Sequence, residues 1–267
     1  MTKWPRARAV GFGVVALVLA LGLTFLATAS LVSSQQGPTV SIEDGEVPTG
    51  GTEVTRLSAL NVSSPALCGF TIDVAYDRPV KVAVDCDADP EDNFNAALCN
   101  VDYASGTVRV VGASLEGLTG NIPLVDITWC AVGSAGHSTN LDVQIVSFKD
   151  CQTPPAEIAT VADQDGVNVI VAGAPPVDTD SDGFGDCVEL YLGTDPTDDC
   201  TDEPDDLDAW PFDINMDTWA DILDVLMFKP KLEPKPYDPR FDLKANGIVD
   251  ILDVLIFKPV LHTRCTP

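Results

Sequence analysis

The feature that most constrains this chain is an acidic segment of twelve residues at 178–189. Carboxylates stand at relative positions 1, 3, 5, 9 and 12, and Gly183 stands at position 6. So many like charges on one turn repel each other unless a hard cation lies among them, and glycine allows the bend that turns them inward. This is the spacing of a calcium loop, in which position 7 contributes its backbone oxygen. An acidic, solvated linker is the alternative interpretation. The predicted ligands of this first loop are Asp178, Asp180, Asp182, Phe184, Asp186 and Glu189.

The overall charge of the chain also favours the binding of cations. The 267 residues include 41 Asp and Glu against 15 Lys and Arg, which gives a formal net charge of −26. Seventeen of the acidic residues and none of the basic ones lie between Asp178 and Asp224. This balance disfavours nucleic acid and anionic lipid as partners and favours divalent cations.

The first 32 residues have the pattern of an export signal. An apolar run covers residues 9–26, and Ala27, Thr28 and Ala29 form an A-x-A cleavage site. An uncleaved membrane anchor is the alternative, because apolar residues continue to position 32. Either way we expect a secreted or cell-surface protein that touches the membrane only through this segment. The basic residues that precede the run are Lys3, Arg6 and Arg8.

The eight cysteines fit an oxidising compartment, since their number is even. Spacing predicts local bridges Cys86–Cys99 and Cys187–Cys200, and it leaves the other pairings open. Five cysteines precede residue 172 and three follow it, so full oxidation requires at least one bridge between these parts or to another chain. A zinc site is disfavoured because there is no C-x-x-C and the chain has only two histidines.

Residues 38–171 are predicted to be all β. Apolar and polar residues alternate between Gly69 and Tyr76, the period of a half-buried strand. Similar short runs are separated by glycine- and proline-rich turns, without a long amphipathic helix. Such a series favours a two-sheet sandwich or jelly roll. A stiff linker at 172–177 follows. The other predicted strands are 53–62, 80–84, 107–113, 122–129, 141–148 and 167–171.

The end of the chain contains an internal repeat. Residues 221–232 read DILDVLMFKPKL and residues 250–261 read DILDVLIFKPVL, identical at ten of twelve positions. Each copy predicts a short apolar helix that ends at Pro230 or Pro259. Because helices this short are marginal alone, we expect each to bury its apolar face against its twin.

A ligand-rich loop precedes each of these helices. The second loop, residues 213–224, has oxygen ligands at every required position, whereas the third loop, residues 242–253, has Lys244 at position 3. The third loop is therefore predicted either to bind calcium with one ligand fewer or to be closed by a Lys–carboxylate pair. The predicted ligands are Asp213, Asn215, Asp217, Trp219, Asp221 and Asp224 in the second loop, and Asp242, Asn246, Ile248, Asp250 and Asp253 in the third.

These motifs resemble three known modules. The paired loop–helix units within residues 207–265 resemble a dockerin, the two-calcium module that docks onto cohesins. Residues 178–200, with their D-x-D-x-D-G-x-x-D-x-x-E and the following G-T-D-P, are similar to a bacterial thrombospondin type 3 repeat. Residues 38–171 resemble a cohesin domain through CGFTIDVAYD at 68–77, GTVRVVGA at 106–113 and the strand that ends in ITW at 127–129. The expected fold is a mostly β, cohesin-like jelly-roll sandwich followed by a small dockerin-like module of calcium loops and helices.

The resemblance implies a non-catalytic, exported, calcium-binding scaffold or adhesion protein. Its partners would be cohesin- or dockerin-bearing proteins, including other copies of itself. Dockerins present recognition residues at positions 10 and 11 of each loop, which here are apolar and would favour a hydrophobic docking face. The alternative is that these residues fill the core between the two helices. They are Ile222, Leu223, Ile251 and Leu252.

Two other functions fit the sequence less well. A cell-surface protein that binds carbohydrate, linked to polysaccharide degradation, needs a row of exposed aromatic rings. Among the candidates, Tyr76 and Trp129 are predicted to be core residues, whereas Phe94 and Tyr103 lie beside turns. A hydrolase is disfavoured, because the acidic pairs outside the loops lie in a turn and no catalytic motif accompanies them.

Overall fold

Nine strands form one hydrogen-bonded system in the computed structural model, which describes residues 37–173, 175–200, 210–232 and 237–265. The predicted signal peptide or anchor at 1–32 lies outside the described residues. Within them, no helix is long and apolar enough to cross a bilayer. The strands are β1 (Thr39–Ile42), β2 (Gly45–Pro48), β3 (Thr52–Ala75), β4 (Lys81–Ala88), β5 (Ala96–Ala104), β6 (Thr107–Ala131), β7 (Ser138–Asp150), β8 (Ala162–Gln164) and β9 (Gly166–Val171).

Two long strands run through both layers of this sandwich. The first half of β3 (52–62) pairs with the second half of β6 (120–130), and β1, β4 and β8 complete that layer. The second half of β3 (67–75) pairs with the first half of β6 and with β7, and β5, β9 and β2 extend this second layer. Register shifts between residues 57 and 69 let β3 bend from one layer to the other. The predicted short strands at 53–62 and 70–76 are therefore one element.

The predicted β fold is confirmed, and its core lies between the two layers. Apolar side chains at alternate positions of β3 and β6 point inward, as a period of two requires. Trp129 is fully buried, and its Nε1 donates a hydrogen bond of 2.7 Å to Thr55 Oγ1. Tyr76 packs edge-on against Trp129 with ring centroids 5.0 Å apart, so both rings belong to the core as predicted.

The segment after residue 175 forms short elements around a second core. They are helix α1 (Asp186–Leu192), strand β10 (Trp219–Ala220), helix α2 (Ile222–Met227), a 3₁₀ turn (Pro239–Phe241), helix α3 (Ile251–Ile256) and strand β11 (Thr263–Arg264), which pairs with β10. Phe228 packs against Phe241 and Phe257, with ring centroids 5.1 and 5.6 Å apart. Val82 and Cys130 of the sandwich belong to the same buried cluster, so this segment packs onto the sandwich.

Four disulfides link the eight cysteines, and they correct one prediction. Cys86–Cys99 is confirmed, whereas the predicted Cys187–Cys200 bridge is wrong. The reason is that α1 directs Cys187 toward β6, where Cys130 lies, and brings Cys200 beside the end of the chain. The count of cysteines required at least one bridge between the two parts of the chain or to another chain, and Cys130–Cys187 joins the two parts. The bonds are Cys68–Cys151, Cys86–Cys99, Cys130–Cys187 and Cys200–Cys265.

Candidate metal loops and docking surfaces

The first loop brings its early carboxylates together. Asp178, Asp180 and Asp182 each place one carboxylate oxygen within 4.8 Å of the other two. Gly183 adopts φ +100° with open space around it, a conformation that side-chain-bearing residues rarely adopt. Helix α1 then begins at Asp186 and carries Glu189, the position-12 residue, back toward the cluster, where Glu189 is fully buried.

Four oxygens of this loop are buried without a hydrogen-bond partner among the described residues. They are Asp180 Oδ2, Asp182 Oδ2 and both carboxylate oxygens of Glu189. Buried polar atoms are almost always paired, and an unpaired buried carboxylate is costly. Because Ca²⁺ binds about six to eight carboxylate, carbonyl or water oxygens, this donor set fits it.

The pKa values of the same groups show the cost of holding them together. Burial, reinforced by the neighbouring aspartates, raises the pKa of Glu189 to about 9. Burial is also the largest cause that raises the pKa of Asp182 to about 7, although a hydrogen bond from the Phe184 amide opposes it. Each shift reports that the charged carboxylate is disfavoured until a positive charge compensates it.

Two predicted positions of this loop have other contacts. The carboxylate of Asp186 accepts hydrogen bonds from the Thr179 amide (2.9 Å) and hydroxyl (2.8 Å), which ties the two ends of the loop together. The ring of Phe184 packs edge-on against Phe212, with centroids 4.9 Å apart, and so joins the second core. Its predicted contribution to the metal is the backbone oxygen.

The second loop is organised by its first and last carboxylates. Asp213 is fully buried and accepts hydrogen bonds from the amides of Asp217 (2.9 Å) and Thr218 (2.7 Å). Asp224, also buried, accepts from the amides of Ile214, Asn215 and Asp221. Burial is the main cause that raises the pKa of Asp213 and of Asp224. Thr218 occupies position 6 with φ +73°, where the first loop has glycine.

The remaining members of the second loop follow the same pattern. Asp221 caps α2, because its carboxylate accepts a hydrogen bond from the Leu223 amide at 2.6 Å. The Asp221 amide in turn donates a hydrogen bond to Asp224, which completes a capping box. Asn215 Oδ1 accepts from the Asp217 amide, and Asp217 Oδ1 accepts from the amide of Trp219, the position-7 residue. The predicted side-chain ligands of this loop thus all accept hydrogen bonds from backbone amides of the same segment, whereas among the described residues only Asp178, Asp180 and Asp182 place three carboxylate oxygens close together.

The third loop differs at its first position. Asp242 Oδ1 accepts from the Asn246 amide at 3.1 Å, as in the second loop, but Oδ2 also accepts from Tyr191 Oη at 2.5 Å and Tyr237 Oη at 2.9 Å. Tyr191 comes from α1, so the first and third loops are joined through one helix. Burial is the main cause that raises the pKa of Asp242. The two tyrosines carry no motif in the sequence and were not predicted.

Lys244 does not close the third loop. Its side chain is exposed and forms no ion pair within the described part of the chain. The predicted Lys–carboxylate pair is therefore wrong, because Asp242 is already satisfied by the tyrosines and backbone amides. Position 3 contributes only its backbone: the Lys244 amide donates to Asp253 Oδ1 at 3.0 Å. Asp250 caps α3 through the Leu252 amide, and Asn246 Oδ1 accepts from the amide of Ile248.

The repeated helices expose the apolar residues that were proposed as a docking face. Ile222 is 54% exposed and Ile251 is 59% exposed, and Leu223 and Leu252 are exposed beside them. The alternative that they fill the core between the helices is wrong, since Phe228 and Phe257 fill it. The expected burial of each helix against its twin is confirmed for Phe228 and Phe257, which pack against each other, but not for the four residues named above. One further apolar pair, Leu226 and Leu255, extends the face and was not predicted.

The second layer of the sandwich exposes an apolar row on its outer face. Leu98 on β5 lies opposite Val111 on β6, and Thr71 on β3 is the next neighbour across the sheet. Leu98 and Val111 are exposed, as is Val146 on β7. Asp73 and Arg109 form an ion pair of 2.6 Å at the same face. We call this surface the outer sheet face and the exposed residues of α2 and α3 the helix face.

The four aromatic candidates do not form a row. Trp129 and Tyr76 lie in the core, and Phe94 is half-buried, with its ring packed against Phe70 at a centroid distance of 5.2 Å. Tyr103 is exposed, but the guanidinium of Arg109 lies 3.7 Å from the centre of its ring. The rings therefore offer no flat platform for a sugar.

Comparison with known proteins gave matches only among solved structures. No family model and no curated protein matches the chain. The chain is similar to a non-cellulosomal cohesin from the archaeon Archaeoglobus fulgidus, with 18% identity, a TM-score of 0.43, and coverage of 51% of this chain and 92% of that one. It is also similar to the seventh ScaB type I cohesin from Pseudobacteroides cellulosolvens, with 17% identity, a TM-score of 0.46, and coverage of 52% and 94%.

A third solved structure is the third cohesin ScaC from Acetivibrio cellulolyticus in complex with the ScaB dockerin. This chain matches it with 14% identity and a TM-score of 0.46, over 51% of this chain and 99% of that one. Each of these alignments leaves about half of this chain outside. The assignments of residues 178–200 and 207–265 to modules therefore stay predictions.

Proposed function

We propose that this chain is an exported, non-catalytic assembly protein that is folded around calcium and docks through cohesin–dockerin-type contacts. The observation that carries the proposal is the helix face: the two sequence repeats place equivalent apolar side chains at the surface. An apolar face repeated on two short helices and left open to solvent is characteristic of an interaction site. A helix pair with only a structural role would bury these residues.

Calcium supports this face by holding the loops that precede the helices. In the first loop Asp180, Asp182 and Glu189 would hold the ion, and their unpartnered oxygens support that assignment. In the second loop Asp213 and Asp224 bracket the turn from which α2 begins. Bound Ca²⁺ supplies the positive charge that lets these buried carboxylates stay ionised. Metal binding and the final folding of this segment are then one coupled process.

The third loop has a weaker donor set than the other two. It lacks an oxygen at position 3, and Asp242 Oδ2 is engaged by Tyr191 and Tyr237. Asp242 Oδ1 still has lone-pair capacity and would be the ligand atom, with Asn246, Asp250 and Asp253 completing the set. We therefore propose that the first and second loops bind calcium at lower concentration than the third loop does.

The partner belongs to a different molecule. Neither the helix face nor the outer sheet face is covered by the described residues of this chain, and Cys130–Cys187 ties the C-terminal segment to the sandwich. The partner class is a cohesin-like sheet for the helix face, or a dockerin-like helix pair for the outer sheet face. A second copy of this chain offers both, so head-to-tail association is included.

The test uses the full exported chain, because Cys130–Cys187 makes separated halves non-native. Sedimentation of the purified chain and its binding to immobilised cohesin and dockerin domains would be measured with Ca²⁺ and with chelator. We expect calcium-dependent binding to the cohesin domains, and association between copies of the chain, that the double variant Ile222→Asp/Ile251→Asp weakens about a hundredfold. The matched control is Val54→Asp, which also places a charge at an exposed apolar position but on the first layer of the sandwich, outside both faces.

Two outcomes would contradict the proposal. One is association that persists unchanged in the double variant. The other is an absence of any binding to the tested cohesins, dockerins and second copies at millimolar Ca²⁺. Retention on insoluble polysaccharide that Tyr103→Ala removes would favour the carbohydrate-binding alternative instead.

A further inference from the structure

Three polar side chains meet inside the sandwich, outside the candidate metal loops. Glu53 lies near the start of β3, Lys81 is the first residue of β4, and Asn168 lies on β9, the last strand of the sandwich. Lys81 is fully buried and Asn168 is 1% exposed. A fully buried lysine is rare, because its ammonium loses all hydration.

Glu53 contacts both of the other groups through one carboxylate oxygen. Lys81 Nζ lies 3.7 Å from Glu53 Oε1, and Asn168 Nδ2 donates a hydrogen bond to the same oxygen. The indole of Trp129 covers the cluster, with its ring centre 3.8 Å from Lys81 Nζ. On the other side, Gly45 on β2 stands opposite Asn168, and a Cβ there would lie 2.5 Å from Glu53 Oε2 and 2.6 Å from Asn168 Nδ2.

Two atoms of this cluster have no hydrogen-bond partner among the described residues. They are Lys81 Nζ and Asn168 Oδ1, both fully shielded from solvent. A permanent ion pair between Lys81 and Glu53 would be the simplest structural role, but it leaves both atoms unsatisfied in an apolar surrounding. Buried ion pairs are stable only where further hydrogen bonds complete them. Covalent chemistry between the amine and the carboxamide removes the buried charge altogether.

We propose that Lys81 and Asn168 join in an intramolecular isopeptide bond, with Glu53 as the proton carrier. Lys81 gives one proton to Glu53, and the neutral amine attacks Cγ of Asn168. A bond forms between Nζ and Cγ, and the bond between Cγ and Nδ2 breaks. A second proton of the amine passes through Glu53 to Nδ2, which leaves as ammonia. The products are a secondary amide, ammonia and protonated Glu53, without any oxidant or reductant.

The electrostatics of the cluster suit this step. Burial is the main cause that lowers the pKa of Lys81 to about 7, so a large share of the side chain is a neutral, nucleophilic amine near neutral pH. Burial is also the main cause that raises the pKa of Glu53, which favours the protonated acid that the leaving nitrogen needs. The contact between Glu53 Oε1 and Asn168 Nδ2 places the acid at the atom that departs.

The bond would tie β4 to the last strand of the sandwich. Asn168 precedes the segment that leads to the calcium loops, and β9 is held in the sheet by β2 and β7. A cross-link between residues 81 and 168 restricts the unfolded chain in the way that a disulfide does. Unlike the four disulfides, it resists reductants. It needs neither calcium nor a docking partner, so it does not depend on the function proposed above.

The experiment is mass spectrometry of the full chain purified from an exporting host, after reduction and alkylation. We expect an intact mass about 17 Da below the mass of the mature sequence, which is the loss of one ammonia. Proteolytic digestion should yield a branched peptide in which Lys81 is joined to Asn168. An unshifted mass would overturn the proposal. So would a loss of ammonia with Lys81 and Asn168 found in separate, unmodified or cyclised peptides.

Variants test the role of each group. Glu53→Gln preserves the shape of the cluster but cannot carry the proton, so its soluble fraction should have the full mass and separate peptides. Lys81→Met removes the nucleophile with similar volume and should give the same result. The matched control is Glu157→Gln, because Glu157 and Lys149 are also 3.7 Å apart but solvent-exposed. This control should keep the branched peptide. Persistence of the branched peptide in Glu53→Gln would refute the role assigned to Glu53.

Discussion

Calcium binding to the first loop should release protons, and Glu189 determines how many. Its pKa is raised from 4.5 to about 9 in the folded, metal-free loop, whereas the metal requires the ionised form. Between pH 7 and 9 one proton must leave Glu189, so the apparent affinity of this loop should rise about tenfold per pH unit. Below pH 7 Asp182, with a pKa of about 7, adds a second proton and the dependence steepens.

The raised pKa of Glu189 also makes the stability of the metal-free chain depend on pH. The folded, metal-free chain binds more protons at Glu189 than the unfolded chain does between pH 4.5 and 9. Its stability should therefore fall as pH rises through this window, by up to about 1.4 kcal/mol per pH unit from this group. Saturating calcium should remove the decline, because the bound carboxylate is charged at every pH in the window.

Isothermal titration in two buffers of different protonation enthalpy measures the proton release directly. At pH 8 the wild-type chain should release about one proton more than Glu189→Gln. Asp195→Asn is the control, since Asp195 is an exposed acid just outside the loop whose carboxylate contacts Thr197. Equal proton release from the wild type and Glu189→Gln, or an affinity that stays flat from pH 7 to 9, would refute the reasoning.

Three further predictions concern other parts of the molecule. Lys244→Asn supplies the missing oxygen of the third loop and should add one calcium or tighten that site about tenfold; an unchanged calcium titration would contradict this. Ile222→Asp with Ile251→Asp should weaken docking by about a hundredfold while the melting temperature stays within about 2 °C, because both side chains are exposed. A fall in melting temperature that matches the loss of binding would show that the face is structural. Cys130→Ser should destabilise the C-terminal segment by about 2–4 kcal/mol, seen as an earlier calorimetric transition and faster proteolysis than in the wild type. A single unshifted transition would argue that packing alone holds this segment.

Local patterns in the sequence were sufficient for much of this structure. Alternation along residues 69–76 predicted a strand, and the ligand spacing predicted turns that the structure forms around Asp182 and Asp213. Cys86–Cys99 followed from proximity in sequence. These features depend on residues that are close together in the sequence, so they can be predicted without knowledge of the tertiary fold.

The misses are features that only the tertiary fold creates. Cys187 pairs with Cys130 because α1 packs on the sandwich, which no spacing could reveal. The tyrosine contacts of Asp242 likewise require α1 to reach the third loop. Glu53, Lys81 and Asn168 lie on three different strands and form no motif in sequence. A lysine within an apolar run at residues 80–84 was the one available signal.

The Cys130–Cys187 bridge also determines how the molecule would carry mechanical tension. Cys130 lies at the end of β6, the strand that pairs with β3, β4 and β5. A partner that pulls on α3 would load Cys265, then Cys200, then Cys187, and the force would enter the sheet at a strand that pairs with three others. An attachment made through the helices would then reach the sandwich through β6, and it could withstand shear without first pulling on β9, the last strand.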